Sequence, residues 1–261
     1  MPYLREDLKN KIVLVTGATS GIGEACARAF AELGCKLIIT GRQVFRLQNL
    51  ASDLMAYGCS VYFYSLDVTQ KSSVQEFINN LPEAWKNIDI LINNAGLALG
   101  LEPLQEGNIE DWDTMIDTNV KGLLYVTRQI VPWMMERQKG HVINIGSLAG
   151  ITAYPNGAVY CASKAAVKTI SDGLRMDLVH TPIRVTNIQP GLVDTNFSIT
   201  RFHGDRERAE RVYKGLEPLN AEDIADIVVY VASAPKHVQI AEITVMPTQQ
   251  ASSMVIHRKL K

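Results

Sequence analysis

The chain reads as an α/β protein in one domain, a doubly wound parallel β-sheet with helices on both faces. Three observations carry this expectation. Short apolar runs alternate with amphipathic stretches along most of the chain. Those runs are continuous rather than alternating, as in strands buried on both faces. The repeated strand–helix order requires right-handed crossovers within one sheet. The 261 residues suffice for a large single core over 1–261, and no repeat, low-complexity linker or charge block divides them.

Residues 11–16 form the first strand, an apolar and largely β-branched run. Residues 24–33 read as a helix closed by Gly34, since glycine tolerates the left-handed backbone that follows a helix end. The second strand is 36–40, followed by an amphipathic helix at 42–57. Strand three spans 61–66 and its helix 71–80; strand four spans 88–93. A long helical stretch covers 109–138, with a break or bend expected near Pro132, which lacks an N–H and crowds the preceding turn. Strand five is 141–146 and the next helix 157–179. Strand six is 183–188, stopped by Pro190-Gly191; 221–232 is the last helix and 242–246 the final strand. The stretch 194–220 interrupts the pattern and is a candidate lid; 247–261 is a tail that ends basic, with His257, Arg258, Lys259 and Lys261.

Lys plus Arg number 26 and Asp plus Glu 27, a net charge of −1 that gives no support for nucleic acid or an anionic membrane as partner. No apolar run approaches the roughly 18–20 residues of a spanning helix. Residues 1–7 are polar and lack a signal-peptide core, so a cytoplasmic protein is expected. Cys26, Cys35, Cys59 and Cys161 are scattered and read as buried apolar groups in a reducing compartment. The histidines lack metal-ligand spacing, and no metal is expected.

Three local patterns carry chemistry. Thr16-Gly17-Ala18-Thr19-Ser20-Gly21-Ile22-Gly23 joins the first strand to the first helix. Glycines there let the backbone turn tightly and approach a pyrophosphate resting on the helix N-terminus. The end of the second strand selects the cofactor. An acidic residue would hold a ribose 2′-hydroxyl, but the chain has Thr40-Gly41-Arg42, and the Arg42 fork suits a 2′-phosphate, hence NADP(H). Tyr160 and Lys164, four residues apart, share one helix face and follow Ser147 by thirteen residues. A free tyrosine ionises near pH ~10, and a fixed positive charge brings it towards working range. A serine hydroxyl facing both would hold a substrate oxygen, giving the parts needed to move a proton on and off an alcohol.

Together these residues resemble the short-chain dehydrogenases/reductases, over essentially the whole chain and with a Rossmann-like fold. The Thr16 to Gly23 turn, Asn93-Asn94-Ala95-Gly96 after strand four, the set Asn119, Ser147, Tyr160 and Lys164, and Pro190-Gly191 with Thr195 stand in family order. The resemblance implies that Tyr160 exchanges the proton of the substrate oxygen and that Ser147 hydrogen-bonds that oxygen. It implies that Lys164 lowers the Tyr160 pKa and holds the nicotinamide ribose, while Asn119 positions a water leading from Lys164 to solvent. Cofactor contacts are implied for Gly17, Thr19, Ser20, Gly21, Ile22, Gly23, Arg42, Val68, Asn94, Ala95, Gly96, Tyr160, Lys164, Pro190, Gly191, Val193 and Thr195. Asp67 has two readings, an adenine contact or a cap for the helix that follows.

The segments 94–100, 115–119 and 201–205 and Met246-Pro247-Thr248-Gln249-Gln250 resemble the NADP-dependent 3-hydroxy acid dehydrogenases. These act on L-serine, L-allo-threonine and related acids such as 3-hydroxypropionate. Sulfoacetaldehyde reductases share nearly all these features. Either implies a small anionic substrate, for which Arg201 is the candidate anchor, with Tyr154 and Gln249 as hydrogen-bonding partners. The mixed charges of 201–214 equally suit a solvated face. The resemblance also implies a homotetramer or homodimer, with the tail reaching a neighbouring subunit. An NADPH-sensing protein without turnover is the reading of another class, opposed by the complete proton-transfer set. Arg42→Asp is expected to weaken NADPH binding about 10-fold or more and to spare NADH. Titration of both cofactors checks this, and an unchanged preference removes Arg42 from the site.

Overall fold

In the computed structural model, which describes residues 6–259, seven strands pair in parallel. They are β1 (Ile12–Val15), β2 (Lys36–Gly41), β3 (Val61–Ser65), β4 (Ile90–Asn93), β5 (His141–Ile145), β6 (Arg184–Pro190) and β7 (Glu242–Val245). Their order in the sheet is β3-β2-β1-β4-β5-β6-β7, so the winding reverses between β1 and β4. This is the expected doubly wound α/β architecture. Residues 1–5 of the polar N-terminus and Lys261 of the basic tail lie outside the described residues.

Each strand sends alternate side chains to opposite layers. One layer holds α1 (Gly21–Glu32), α2 (Val44–Ala56) and α9 (Ala221–Ala232). There Phe30, Leu47 and Val228 pack on Val13, Ile39, Ile92 and Ile188. The other holds α3 (Lys71–Asn80), α5 (Leu123–Glu136) and α6 (Ala158–Asp177). There Phe77, Ile130 and Met134 pack on Leu14, Ile38, Leu91, Val142 and Val185. Both faces of the central strands are therefore dry, which is why their sequences are unbroken apolar runs.

The long helical stretch differs from expectation. α4 (Ile109–Ile116) is followed by a π-helical segment, Asp117–Gly122, and then by α5, which runs through Pro132. The proline costs α5 one backbone bond, but buried Ile130, Val131 and Met134 keep the helix on the sheet. The register change comes instead at the wider turn, which turns Thr118 and Asn119 inward. The irregular stretch 194–220 also contains two short helices, α7 (Phe197–Arg201) and α8 (Arg206–Tyr213).

One polar row crosses this apolar sheet. Asn93, Asn144, Asn187 and Glu242 are register partners on neighbouring strands. The Asn93 amide donates to Thr127 Oγ1 and to Asn144 Oδ1, each at 2.9 Å. Asn144 donates to Ser171 Oγ at 2.8 Å, and Glu242 pairs with Lys168 at 2.9 Å. The row thus ties α5 and α6 to the sheet at defined positions. Asn144→Leu would strip Asn93 and Ser171 of a partner inside the core. It is expected to cost about 1–3 kcal/mol, read as a lower urea midpoint at unchanged m-value.

Candidate active site

A cavity of about 810 Å³ opens where the carboxyl ends of the strands meet the reversal of winding, the usual place for a ligand in an open α/β sheet. Its wall is first shaped by the β1–α1 turn. Gly17 and Gly21 adopt φ of +64° and +55°, the left-handed region where a side chain is strained. Asn94 Nδ2 donates to Thr16 O and Gly17 O, both at 3.0 Å. Thr16 Oγ1 in turn accepts from the N–H groups of Asn94 and Ala95 at 3.0 and 3.1 Å. A Cβ on Gly23 would collide with Gly17 O and the Asn94 amide. Gly23 is therefore behind the wall, while Gly17, Thr19, Ser20, Gly21 and Ile22 line it.

The rest of the implied cofactor set converges on the same cavity. Arg42, Asp67, Val68, Asn94, Ala95, Gly96, Pro190, Gly191, Val193 and Thr195 all line it. Asp67 Oδ1 accepts from Thr69 N at 3.0 Å and Thr69 Oγ1 at 2.8 Å, so it braces the turn before α3; the N-cap itself is Gln70. Arg46, which the sequence reading passed over, also lines the cavity, four residues beyond Arg42. That helical spacing was the available signal. Arg42 just beyond β2, Arg46 in the first turn of α2 and a glycine turn before α1 fit a dinucleotide carrying an extra phosphate.

The residues expected to transfer a proton stand at the other side. Tyr160 and Lys164 lie on α6, buried, and both line the cavity with Ser147. Burial raises the Tyr160 pKa, opposed by the Arg201 charge and by hydrogen bonding from Ser147. Lys164 Nζ donates to Ile145 O at 2.9 Å, and burial brings its pKa down to about 8. Arg201 and Ser147 thus both favour the ionised phenol against the effect of burial. Asn119 is 2% exposed and does not line the cavity; its amide bonds both Leu97 N–H and C=O and donates to Ser163 Oγ at 3.0 Å. It braces the loop that passes Lys164.

Arg201 enters from α7. Its Nη2 donates to the Tyr154 hydroxyl at 2.6 Å, and its Cζ lies 4.9 Å from the centre of the Tyr160 ring. Among the described residues it forms no ion pair, and its buried Nε has no partner. The solvated-face reading of 201–214 therefore fails for Arg201, though Arg211, paired with Glu207 at 2.7 Å, fits it. Gln249 is a correction. Its amide bonds Glu217 N, Gly215 O and His257 O, and it does not line the cavity. Gln250 does, accepting from Leu192 N at 2.9 Å. The residue pair was legible, but which one faces in depends on the turn at 247–250. The tail folds over the stretch 194–220: Arg258 donates to Lys214 O and Val212 O, and Ser253 to Thr152 O.

Lys164 gives a signed pH expectation. Its folded pKa of about 8 lies below its ordinary 10.5, so the folded protein holds that proton more weakly than the unfolded chain. The resulting penalty is full below about 8 and fades as pH rises towards 10.5. At about 1.4 kcal/mol per pH unit the penalty is roughly 3 kcal/mol, less the bond to Ile145 that any replacement loses. Lys164→Met should raise the urea midpoint at pH ~7, with the difference from wild type closing in alkali. A lower midpoint at neutral pH would overturn the assignment.

The geometry agrees with comparisons to known proteins. Residues 11–206 match the family model for short chain dehydrogenases. The chain is 51% identical over 249 residues to the NADP-dependent 3-hydroxy acid dehydrogenase YdfG of Salmonella typhi, covering 95% of this chain and 99% of that one. It is 46% identical to sulfoacetaldehyde reductase 2 of Chromohalobacter salexigens, over 93% and 96% of the two chains. The closed form of serine dehydrogenase complexed with NADP+ superposes with a TM-score of 0.90 at 49% identity, covering 95% of this chain and all of that one. Among the described residues no helix is long and apolar enough to cross a membrane, and no metal-binding group of His, Cys, Asp and Glu is present. A glycine turn, a buried Tyr–Lys pair and a serine around one cleft, in a chain this similar to such enzymes, have one explanation: the protein belongs to the short chain dehydrogenase family.

Proposed function

We propose that the protein is an NADP(H)-dependent oxidoreductase that interconverts a small anionic hydroxy compound and its aldehyde or ketone. The substrate class is the short 3-hydroxy acids: L-serine, L-allo-threonine or 3-hydroxypropionate with malonic semialdehyde. The observation that carries this reading is the placing of cations at both ends of one cavity. Arg42 and Arg46 suit the 2′-phosphate of the cofactor, and Arg201 faces the Tyr160 phenol with no carboxylate of its own. NADP(H), when bound, supplies or takes the hydride. Tyr160 would give its proton to the substrate oxygen in reduction and take it back in oxidation, with Ser147 donating to the same oxygen. Lys164, Gly96 and Gly191 would hold the cofactor. Arg201 and Tyr154 would bind the acid group, a guanidinium fork matching two oxygens.

A sulfonate can also turn two of its three oxygens to a guanidinium fork, and the similarity to a sulfoacetaldehyde reductase supports reduction of sulfoacetaldehyde to isethionate as the second reading. A sensor without turnover would have no use for the Ser147, Tyr160 and Lys164 arrangement. We place the protein in the cytoplasm as a homotetramer or homodimer, a reading supported by exposed Ile109 on α4, Leu124 on α5 and Met176 on α6. The test is NADPH oxidation with malonic semialdehyde, sulfoacetaldehyde and a neutral aldehyde of like size, with Tyr160→Phe as control. One anion should exceed the neutral aldehyde ~100-fold in kcat/KM. Tyr160→Phe should lose turnover and keep NADPH. Equal, slow turnover of all three would discard the substrate class.

A further inference from the structure

We propose that Arg201 is a substrate-gated charge on Tyr160. Unpaired, its guanidinium lowers the pH at which the phenol ionises; paired with the acid group of the substrate, it lets the phenol stay protonated to higher pH, ready to donate. This rests on the reading of Tyr160 as the proton donor and of the substrate as an anion.

The geometry is that of a cation seated on the phenol. Arg201 Cζ lies 4.9 Å from the centre of the Tyr160 ring, 5.2 Å from that of Phe197 and 5.7 Å from that of Tyr154. Phe197 itself meets Tyr160 edge-on at 5.6 Å, so aromatic groups rather than water surround much of the guanidinium. Tyr154 takes one N–H, and Nε is buried with no acceptor among the described residues. The charge is fixed by backbone as well, since Gly100 N donates to Arg201 O at 2.9 Å.

The groups facing Tyr160 from each neighbouring element contain no carboxylate. α6 contributes Cys161 and Lys164, the β5 loop Ser147, the loop before α6 Tyr154, and α7 Arg201. The 97–98 loop and Met115 are apolar. Lys164 is directed to Ile145 O, and Arg201 is the charge that opposes the effect of burial on the phenol. The lid cation Arg208 stands apart, 4.4 Å from the Phe202 ring and 3.9 Å from Glu102. An opposite charge close to an acid moves it by about 1–3 pH units, and a bound anion that neutralises it removes that shift.

The consequence is a selective one. Reduction needs the protonated phenol, and the anionic aldehyde keeps it protonated to higher pH by occupying Arg201. Tyr160 then passes its proton to the substrate oxygen and regains one from solvent, so the device consumes nothing. A neutral aldehyde leaves the guanidinium bare and meets a more acidic phenol.

The pH profile of kcat reports the substrate complex and that of kcat/KM the free enzyme. For malonic semialdehyde the alkaline limb of kcat should lie about 1–3 pH units above that of kcat/KM. For a neutral aldehyde of the same size the two limbs should coincide. Arg201→Met should move the kcat/KM limb upward for both substrates, and Arg201→Lys, which keeps the charge, should restore most of the wild-type position. Coincident limbs for the anion in wild type, or an unmoved kcat/KM limb in Arg201→Met, would overturn the proposal; the first needs no variant. The anchor fails separately, if Arg201→Met raises KM equally for anionic and neutral substrates. As a readout apart from turnover, the tyrosinate absorbance lost in Tyr160→Phe should titrate higher in wild type saturated with 3-hydroxypropionate than with 1-propanol. Identical titrations with the two would refute the coupling.

Discussion

The side-chain amide of Asn94 joins the two halves of the sheet where the winding reverses. It donates to consecutive carbonyls of the β1–α1 turn, and Thr16 answers with a hydroxyl that accepts from the main chain after β4. These bonds hold a left-handed glycine turn within contact of the β4 end, with no space for a side chain at Gly23. Everything functional is measured from this junction. The cleft lies above it, α1 starts from it, and the loop after Gly96 leaves it to be braced by Asn119 at Leu97. A loosened junction would alter the cleft at both ends, because one turn forms the phosphate side and the opposing loop passes Lys164.

The site accepts electrostatic cost for reach. Lys164 is an ammonium held in a dry interior by one carbonyl, Ile145 O, and Arg201 is a guanidinium among aromatic rings. Neither is neutralised by a carboxylate among the described residues. In water such charges act weakly; in a dry site they act over several ångströms. The surrounding scaffold is correspondingly rigid. α6, which carries Tyr160 and Lys164, is pinned by Ser171 to Asn144 and by Lys168 to Glu242. The stretch 194–220 is lighter, two short helices held by a few hydrogen bonds and by the tail through Arg258. Segments of that kind open without the core unfolding.

What was legible in the sequence follows from where local pattern decides structure. Strands buried on both faces write themselves as apolar runs, and Gly17, Gly21 and Arg42 line the cleft as expected from their places after β1 and β2. Tyr160, Lys164 and Ser147 could be placed together because one helix face and one strand end fix them. Features set by tertiary contact were not legible. Pro132 is a strong local signal for a break, yet burial of its neighbours overrides it, and the wider turn at Asp117–Gly122 leaves no mark in the sequence. Gln249 and Gln250 differ only in which way one turn faces. Arg201 was ambiguous among many charges until α7 brought it against Tyr160, away from any acid.

The row formed by Asn93, Asn144 and Asn187 bears on how the chain finds its pairing. Parallel strands are joined only after long crossovers, and apolar runs such as 88–93 and 141–145 offer little to tell one alignment from the next. Asn93 and Asn144 mark the alignment, because both project into the α5–α6 layer, where Thr127 and Ser171 receive them. A shift of one residue on β4 or β5 would rotate an amide into the opposite layer, away from Thr127 and Ser171 and among Phe30, Val228 and their neighbours. The polar row inside the core thus serves as a proofreading mark for strand alignment, and the same alignment sets the height at which Ile145 presents its carbonyl to Lys164.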